Sequence, residues 1–154
     1  MANTIGLWPF YNAPGLSVSK RVIGSGVQTG MIVGPDTITT EADTCVPCTS
    51  GGRICYGVIT TPQGDPNNGG FIPSGTVVDV AYTGIVPVLL HSGDYSKGDQ
   101  IVASTVFGQG KELSSAESGA PMMIIGTFSD LPQAINASGQ PLLSVQLSMS
   151  PTFR

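Results

Sequence analysis

The sequence predicts a mainly β protein, and three observations predict it. The first is turn chemistry: the 154 residues include 21 glycines and 12 prolines, scattered along the whole chain. In a helix interior these cost about 1 and 3 kcal/mol relative to alanine, so an even scatter leaves room for short extended elements between turns. The second is strict alternation near the C-terminus, where Leu143, Val145, Leu147 and Met149 interleave with Ser144, Gln146, Ser148 and Ser150. A period of two puts the apolar set on one face of a strand and the polar set on the other. The third is scarcity of charge: 10% of residues are charged and 40% are hydrophobic, against about 25% charged in an ordinary soluble domain. That combination excludes a chain kept disordered by self-repulsion.

Residues 1–19 carry no charged side chain and hold Trp8, Phe10 and Tyr11 around Pro9, with Pro14-Gly15 behind them. Proline fixes φ and pushes the residue before it into extended geometry, so an extended N-terminal arm is predicted over 1–21, followed by a single β domain over 22–154. Exposed aromatics would make such an arm adhesive. It therefore either folds back on the protein's own core or lies on a partner, and its terminal position favours the partner. Trp8, Phe10, Tyr11 and Leu16 are the predicted interface residues, with Phe153 in the second charge-free stretch, 131–153. Deleting 1–19 is then expected to leave the domain folded.

Lys20-Arg21 is expected to sit solvated at a strand start, and 22–34 is punctuated by glycine. Pro35-Asp36 signals a turn, and 37–40 a short strand. Residues 54–61 are β-rich and end at Pro62, and Asp65-Pro66-Asn67-Asn68-Gly69-Gly70 is the strongest loop signal. Residues 76–82 alternate, with Val78, Val80 and Tyr82 on one face and Asp79 on the other. Thr83-Gly84 then reads as a turn that returns 85–90 as the second arm of a hairpin. Pro87 cannot donate to a ladder, which places that arm at an edge or a bulge. Turn residues fill 92–99, a strand is expected over 100–106, and Gly108-Gln109-Gly110 turns the chain again. Residues 122–128 are apolar on both faces, as a central strand requires, and 129–140 read as a loop before the final strand.

Composition also excludes function classes. Six Lys and Arg at net charge −4 cannot neutralise a phosphate track or hold an anionic membrane, so neither nucleic acid nor membrane is an expected partner. The longest apolar runs fall far short of the roughly 18 residues of a membrane span. The N-terminus lacks the basic and apolar regions of a signal peptide, which predicts synthesis and retention in a reducing cytoplasm, unless the chain leaves inside a larger particle. Cys45-Val46-Pro47-Cys48 has redox or zinc-knuckle spacing, but a structural zinc needs four ligands and the single histidine, His91, lies far beyond Cys55. The three cysteines read as ordinary thiols in or near a turn, with a Cys45–Cys48 or Cys48–Cys55 disulfide outside the cell as the alternative.

His91-Ser92-Gly93-Asp94 gathers triad residue types, yet neighbours within one turn cannot adopt triad geometry, so a solvated turn is expected. Gly24-Ser25-Gly26 lacks the strand-to-helix frame of a nucleophile elbow. Gly108-Gln109-Gly110-Lys111 has too few glycines for a phosphate loop, and Asp65-Pro66-Asn67 lacks the downstream glutamate of a calcium loop. Asn136-Ala137-Ser138 fits a glycosylation sequon without a secretory context. No cofactor, no metal and no enzymatic activity are expected.

The order of features is more specific than any of these motifs. Lys97-Gly98-Asp99 runs into Gln100-Ile101-Val102, followed by the Gly108 turn, Leu113, and Ile124-Ile125-Gly126-Thr127-Phe128. Ala137-Ser138-Gly139 then leads to Leu143-Ser144-Val145-Gln146-Leu147. Tyr56-Gly57-Val58, Pro73-Ser74-Gly75-Thr76-Val77 and Gly84-Ile85-Val86-Pro87-Val88 fit the same order upstream. This succession resembles the capsid cement (head decoration) proteins of tailed bacteriophages, while the Cys45 to Cys55 segment and the Asp65 loop depart from it. The resemblance implies a small β-barrel or β-tulip-like domain without catalysis, made in the host cytoplasm. It implies binding to the outer surface of the capsid, where a homotrimer braces neighbouring major capsid protein subunits. A second class is a head fibre, tail or receptor-binding module whose Asn-, Gly- and Ser-rich loops recognise a host surface glycan, and a small hydrolase is a third.

Overall fold

The computed structural model describes residues 13–36, 38, 41–49, 54–61, 66–104, 106–115, 121–129 and 134–153. In chain order its strands are β1 (Ala13–Pro14), β2 (Ser17–Val22), β3 (Ile32–Gly34), β4 (Thr44–Pro47), β5 (Gly57–Ile59) and β6 (Val77–Ala81). They continue as β7 (Thr83–Val88), β8 (Gln100–Ala103), β9 (Gly110–Glu112), β10 (Pro121–Phe128), β11 (Ala134–Ile135) and β12 (Pro141–Phe153). The protein is mainly β, as its glycine and proline content requires, and it contains a barrel. Strands β2-β4-β3-β5-β6 close on themselves, while β1-β7-β12-β10-β8-β9 form a second sheet with β11 flanking β12.

The two bodies share a core, and period two explains how. On β3, Val33 points into the barrel with Val22, Val27, Cys45, Ile59, Ile72, Val78 and Val80. Its neighbour Ile32 points the other way, into a cluster with Val58, Ala81, Val86, Val88, Ile101, Ile125, Val145 and Leu147. The pairs Val58 and Ile59, and Val80 and Ala81, divide in the same manner. Strands β3 and β5, with the end of β6, therefore line the barrel with one face and meet the sheet with the other, so β3 and β5 are buried throughout and read as unbroken apolar runs. Burying each such aliphatic side chain contributes about 1.5–3 kcal/mol.

One extended ribbon stitches the bodies together. Residues 13–21 run antiparallel to 77–85 in uninterrupted register, Ala13 opposite Ile85 and Pro14 opposite Gly84 in the sheet, then Ser17 opposite Ala81 through Arg21 opposite Val77 in the barrel. Between them the Leu16 carbonyl accepts from the Tyr82 amide at 3.0 Å. The Leu16 amide donates to Thr83 Oγ1 at 2.6 Å. Within the segment expected as an arm over 1–21, residues 1–12 lie outside the described residues, and strand formation reaches back to Ala13.

The ribbon also corrects the hairpin expected around Thr83-Gly84. Strand β6 pairs with β2 and β5, and β7 pairs with β1 and β12. The apparent turn is the crossing from barrel to sheet, held extended by the ribbon, with Gly84 at φ +95°. Among the described residues Pro87 lies beyond the two-residue pairing with β1, opposite Ser144 of β12, a position that suits its missing donor.

Other expectations are corrected locally. Lys20-Arg21 lies in the second half of β2 rather than at a strand start. Lys20 Nζ donates to the Ala42 carbonyl at 2.6 Å and lies 4.4 Å from the Tyr56 ring centroid, while Arg21 pairs with Glu41 and Asp43. The strand expected over 100–106 stops at Ala103, because Ser104 Oγ accepts from the Val106 amide at 2.8 Å and bends the chain,. Of the strand expected over 37–40 only Ile38 is described, and it lies in a turn. On β12, Val145 and Leu147 are buried and Gln146, Ser148 and Ser150 exposed as the alternation predicts. Ser144 is buried instead, its carbonyl accepting from both the Ser129 amide and the Ser129 hydroxyl at 3.0 Å. Strand β10 lies between β12 and β8, the central place its two apolar faces predict.

Candidate interaction surface

Of the predicted interface residues, Trp8, Phe10 and Tyr11 lie outside the described residues. Leu16 is described and 61% exposed. Its backbone is fixed on both sides by Tyr82 and Thr83, so the ribbon presents the isobutyl group at the crossing between barrel and sheet. Phe153 ends β12 opposite Pro121 of β10. The ribbon carries further exposed apolar groups, Val18 on β2 and Val77 on β6.

A second apolar surface has no counterpart in the sequence expectations. Ile23, Ile38, Val46, Pro47 and Phe107 line an open groove of about 350 Å³ beside Gly24, Ser25 and Asp36. Ile38 is 90% exposed. The buried Asp36 makes this possible, its Oδ1 accepting from the Ile38 amide at 2.9 Å in a turn that lifts the side chain out. The available signal was a lone isoleucine among threonines behind Pro35-Asp36, which reads equally well as a strand.

The polar candidates are arranged differently. His91, Ser92, Gly93, Asp94, Tyr95, Lys111 and Glu112 surround a depression of about 340 Å³. The His91 ring is exposed, and its Nδ1 lies 3.1 Å from the Ser92 carbonyl. A carbonyl has no proton to give up, so this contact holds the ring without activating a nucleophile. The Tyr95 hydroxyl donates to the His91 carbonyl at 2.6 Å, and its pKa is raised by burial and by the neighbouring Glu112 carboxylate. The tyrosine thus stays neutral as a hydrogen-bonding wall of the depression.

The cysteines are sorted by strand geometry. All three are buried thiols. Cys45 lies on β4 in the barrel core, whereas Cys48, three residues on and therefore on the opposite face, enters the shared core beside Cys55. Cys45 thus lies in a strand and Cys48 just past its end, while Cys55 follows a bend at Ile54 as expected, and the Cys-x-x-Cys spacing brings no two sulfurs together. The juxtaposed pair is Cys48 and Cys55, with sulfurs 3.5 Å apart. Burial, with Lys20 opposing it, pushes the Cys45 thiol up to about 11. Cys48 is held far above the usual thiol range by its contact with Cys55 and by burial. Among the described residues no three His, Cys, Asp or Glu side chains converge as a metal site, and no helix is long and apolar enough to cross a membrane.

Comparisons of the chain with protein-family models, with curated proteins and with solved structures each found no match.

Proposed function

We propose that this chain is a non-enzymatic structural virion protein that binds the outer surface of a phage capsid and stabilises contacts between major capsid protein subunits. The observation that carries the reading is the continuity of one segment. Residues 1–12 are charge-free and bear Trp8, Phe10 and Tyr11, and they lead without a break into a ribbon anchored along both the barrel and the sheet. An adhesive segment joined to so rigid a base transmits load from a shell into a folded body. The succession of short strands and glycine turns resembling capsid cement proteins supports the same reading. So do the exposed Leu16, Val18 and Val77 along the ribbon, which suit a surface covered by identical copies in a homotrimer. Modest contacts of this kind gain strength by multivalency.

The test is co-sedimentation with empty expanded heads of the phage that encodes the protein, paired with a solution mass of the free protein. The full chain is expected to be a trimer that pellets with heads. A variant lacking 1–12 is expected to keep its circular dichroism and unfolding midpoint yet stay in the supernatant. Decoration at full occupancy by the truncated protein, or a full chain that ignores heads, overturns the reading.

The depression around His91, Asp94, Tyr95, Lys111 and Glu112 favours a second reading, a fibre, tail or receptor-binding module. Hydrogen-bonding side chains beside an aromatic ring are what a sugar requires. Binding of the isolated protein to host cells, competed by host surface polysaccharide, selects that alternative.

A further inference from the structure

We propose that Cys48 and Cys55 are a modification site: a peroxide joins them in a disulfide at the junction of barrel and sheet, while Cys45 remains a thiol. Placement carries the proposal. The sulfurs are 3.5 Å apart, against about 2.05 Å in a disulfide, so bond formation needs a closure of about 1.5 Å. The backbones bearing them are fixed on either side of β3: the Cys48 amide donates to the Ile32 carbonyl at 2.9 Å, and the Tyr56 amide donates to the Val33 carbonyl at 2.8 Å. The two thiols meet where Gly34 leaves space. A Cβ at Gly34 would stand 3.2 Å from Cys48 Sγ and 2.5 Å from the Ile54 carbonyl oxygen, so a larger residue would push the two segments apart. Cys45 belongs to the barrel cluster instead, on the opposite face of its segment from the Cys48–Cys55 contact.

The chemistry balances with hydrogen peroxide as the oxidant. Cys55, beside the exposed Ile54, gives up its proton, and its sulfur attacks one peroxide oxygen. The O–O bond breaks, water leaves, and a sulfenic acid forms. The Cys48 sulfur then attacks the Cys55 sulfur, the S–S bond forms, the S–O bond breaks, and the oxygen departs as a second water carrying the Cys48 thiol proton. Two thiols are oxidised and one peroxide is reduced to two waters. A reducing cytoplasm keeps the pair open, and an oxidising medium closes it, tying the end of β4 to the chain entering β5. The proposal is independent of the capsid reading.

Full-length protein prepared under reductant is treated with hydrogen peroxide, blocked with iodoacetamide in denaturant, and digested with trypsin without reduction. Cleavage after Arg21, Arg53 and Lys97 places Cys45 and Cys48 in 22–53 and Cys55 in 54–97. The expected result is a monomer two hydrogens lighter apart from the alkyl group, with these peptides linked and the single alkyl group on Cys45. Closing so short a loop is expected to raise the Tm by about 5 °C. Cys45→Ala keeps the link and Cys48→Ser abolishes it; should Cys48→Ser fail to fold, the wild-type peptide map decides alone. Three alkylated cysteines after oxidation, sulfinic or sulfonic acid in place of the link, a link to Cys45, or a link between two molecules each overturns the proposal.

Discussion

Asn136 shows how a single residue can tie distant parts of a β protein. Its side chain is 1% exposed and fully engaged. Nδ2 donates to Gln28 Oε1 at 3.0 Å and to the Thr29 carbonyl at 3.1 Å, while Oδ1 accepts from the Ser138 and Gln140 amides at 3.1 and 2.9 Å. The loop between β11 and β12 is thereby closed on itself and bolted to the turn entering β3. Truncation leaves buried donors and an acceptor without partners, so Asn136→Ala is expected to cost about 2–3 kcal/mol in urea denaturation. Asn136→Asp should cost more at neutral pH, because it sets a carboxylate against the Thr29 carbonyl. Ser138→Ala removes the same sequon and a hydroxyl that has no hydrogen-bond partner among the described residues, and it is expected to leave stability unchanged. The comparison separates structure from glycosylation. Locally, Asn136-Ala137-Ser138 reads only as a sequon or a turn. The partners that give it meaning lie about a hundred residues away, and no local pattern announces them.

Strands were legible in proportion to how cleanly one face is buried. The alternation of β12 and the two-sided apolarity of β10 are visible because those strands are long, thirteen and eight residues. Strands β3 and β5 have three residues each and are buried on both faces, so they offer no period to read. The hairpin expected across β6 and β7 fails for a related reason. Thr83-Gly84 has turn chemistry, and what keeps it extended is the Leu16 segment alongside, a long-range pairing. Strand β10 also contains an irregularity that alternation hides. Between Ile124 and Gly126 its partner on β12 moves from Ser150 to Leu147, and its partner on β8 moves only from Val102 to Ile101. Both shifts fall between Ile124 and Gly126, and at Gly126 a Cβ would overlap the Gln146 carbonyl oxygen. Gly126→Ala must therefore part β10 from β12 in the centre of the sheet. It is expected to lower unfolding free energy by about 3 kcal/mol in urea titration, with the loss unrelieved by any rotamer change because the clash is with backbone. An unchanged midpoint would show that the bulge relaxes elsewhere.

At the scale of the whole molecule, charge and connectivity divide the N-terminal nineteen residues into two parts that composition alone treats as one. The absence of charge over 1–19 suggested a detachable arm, yet Ala13 to Ser19 supply pairing to both bodies. Ser17, Val18 and Ser19 lie opposite Ala81, Val80 and Asp79, and β2 is the strand that joins β6 to β4 and closes the barrel. Removing 1–19 would open the barrel along β6 and bare the inward-facing Val78 and Val80, both buried. An unpaired edge beside newly wetted apolar surface is the usual route to aggregation. Total stability for a domain of this size is about 5–15 kcal/mol, so loss of a closing strand takes much of it. The variant lacking 1–19 is therefore expected to elute as aggregate in size exclusion and to unfold without a cooperative urea transition. The variant lacking 1–12 keeps every pairing of the ribbon and should match the full chain in both measurements. Equal, cooperative unfolding of the two variants would mean that the barrel closes without the first half of β2, and that the adhesive segment extends through Ser19 after all.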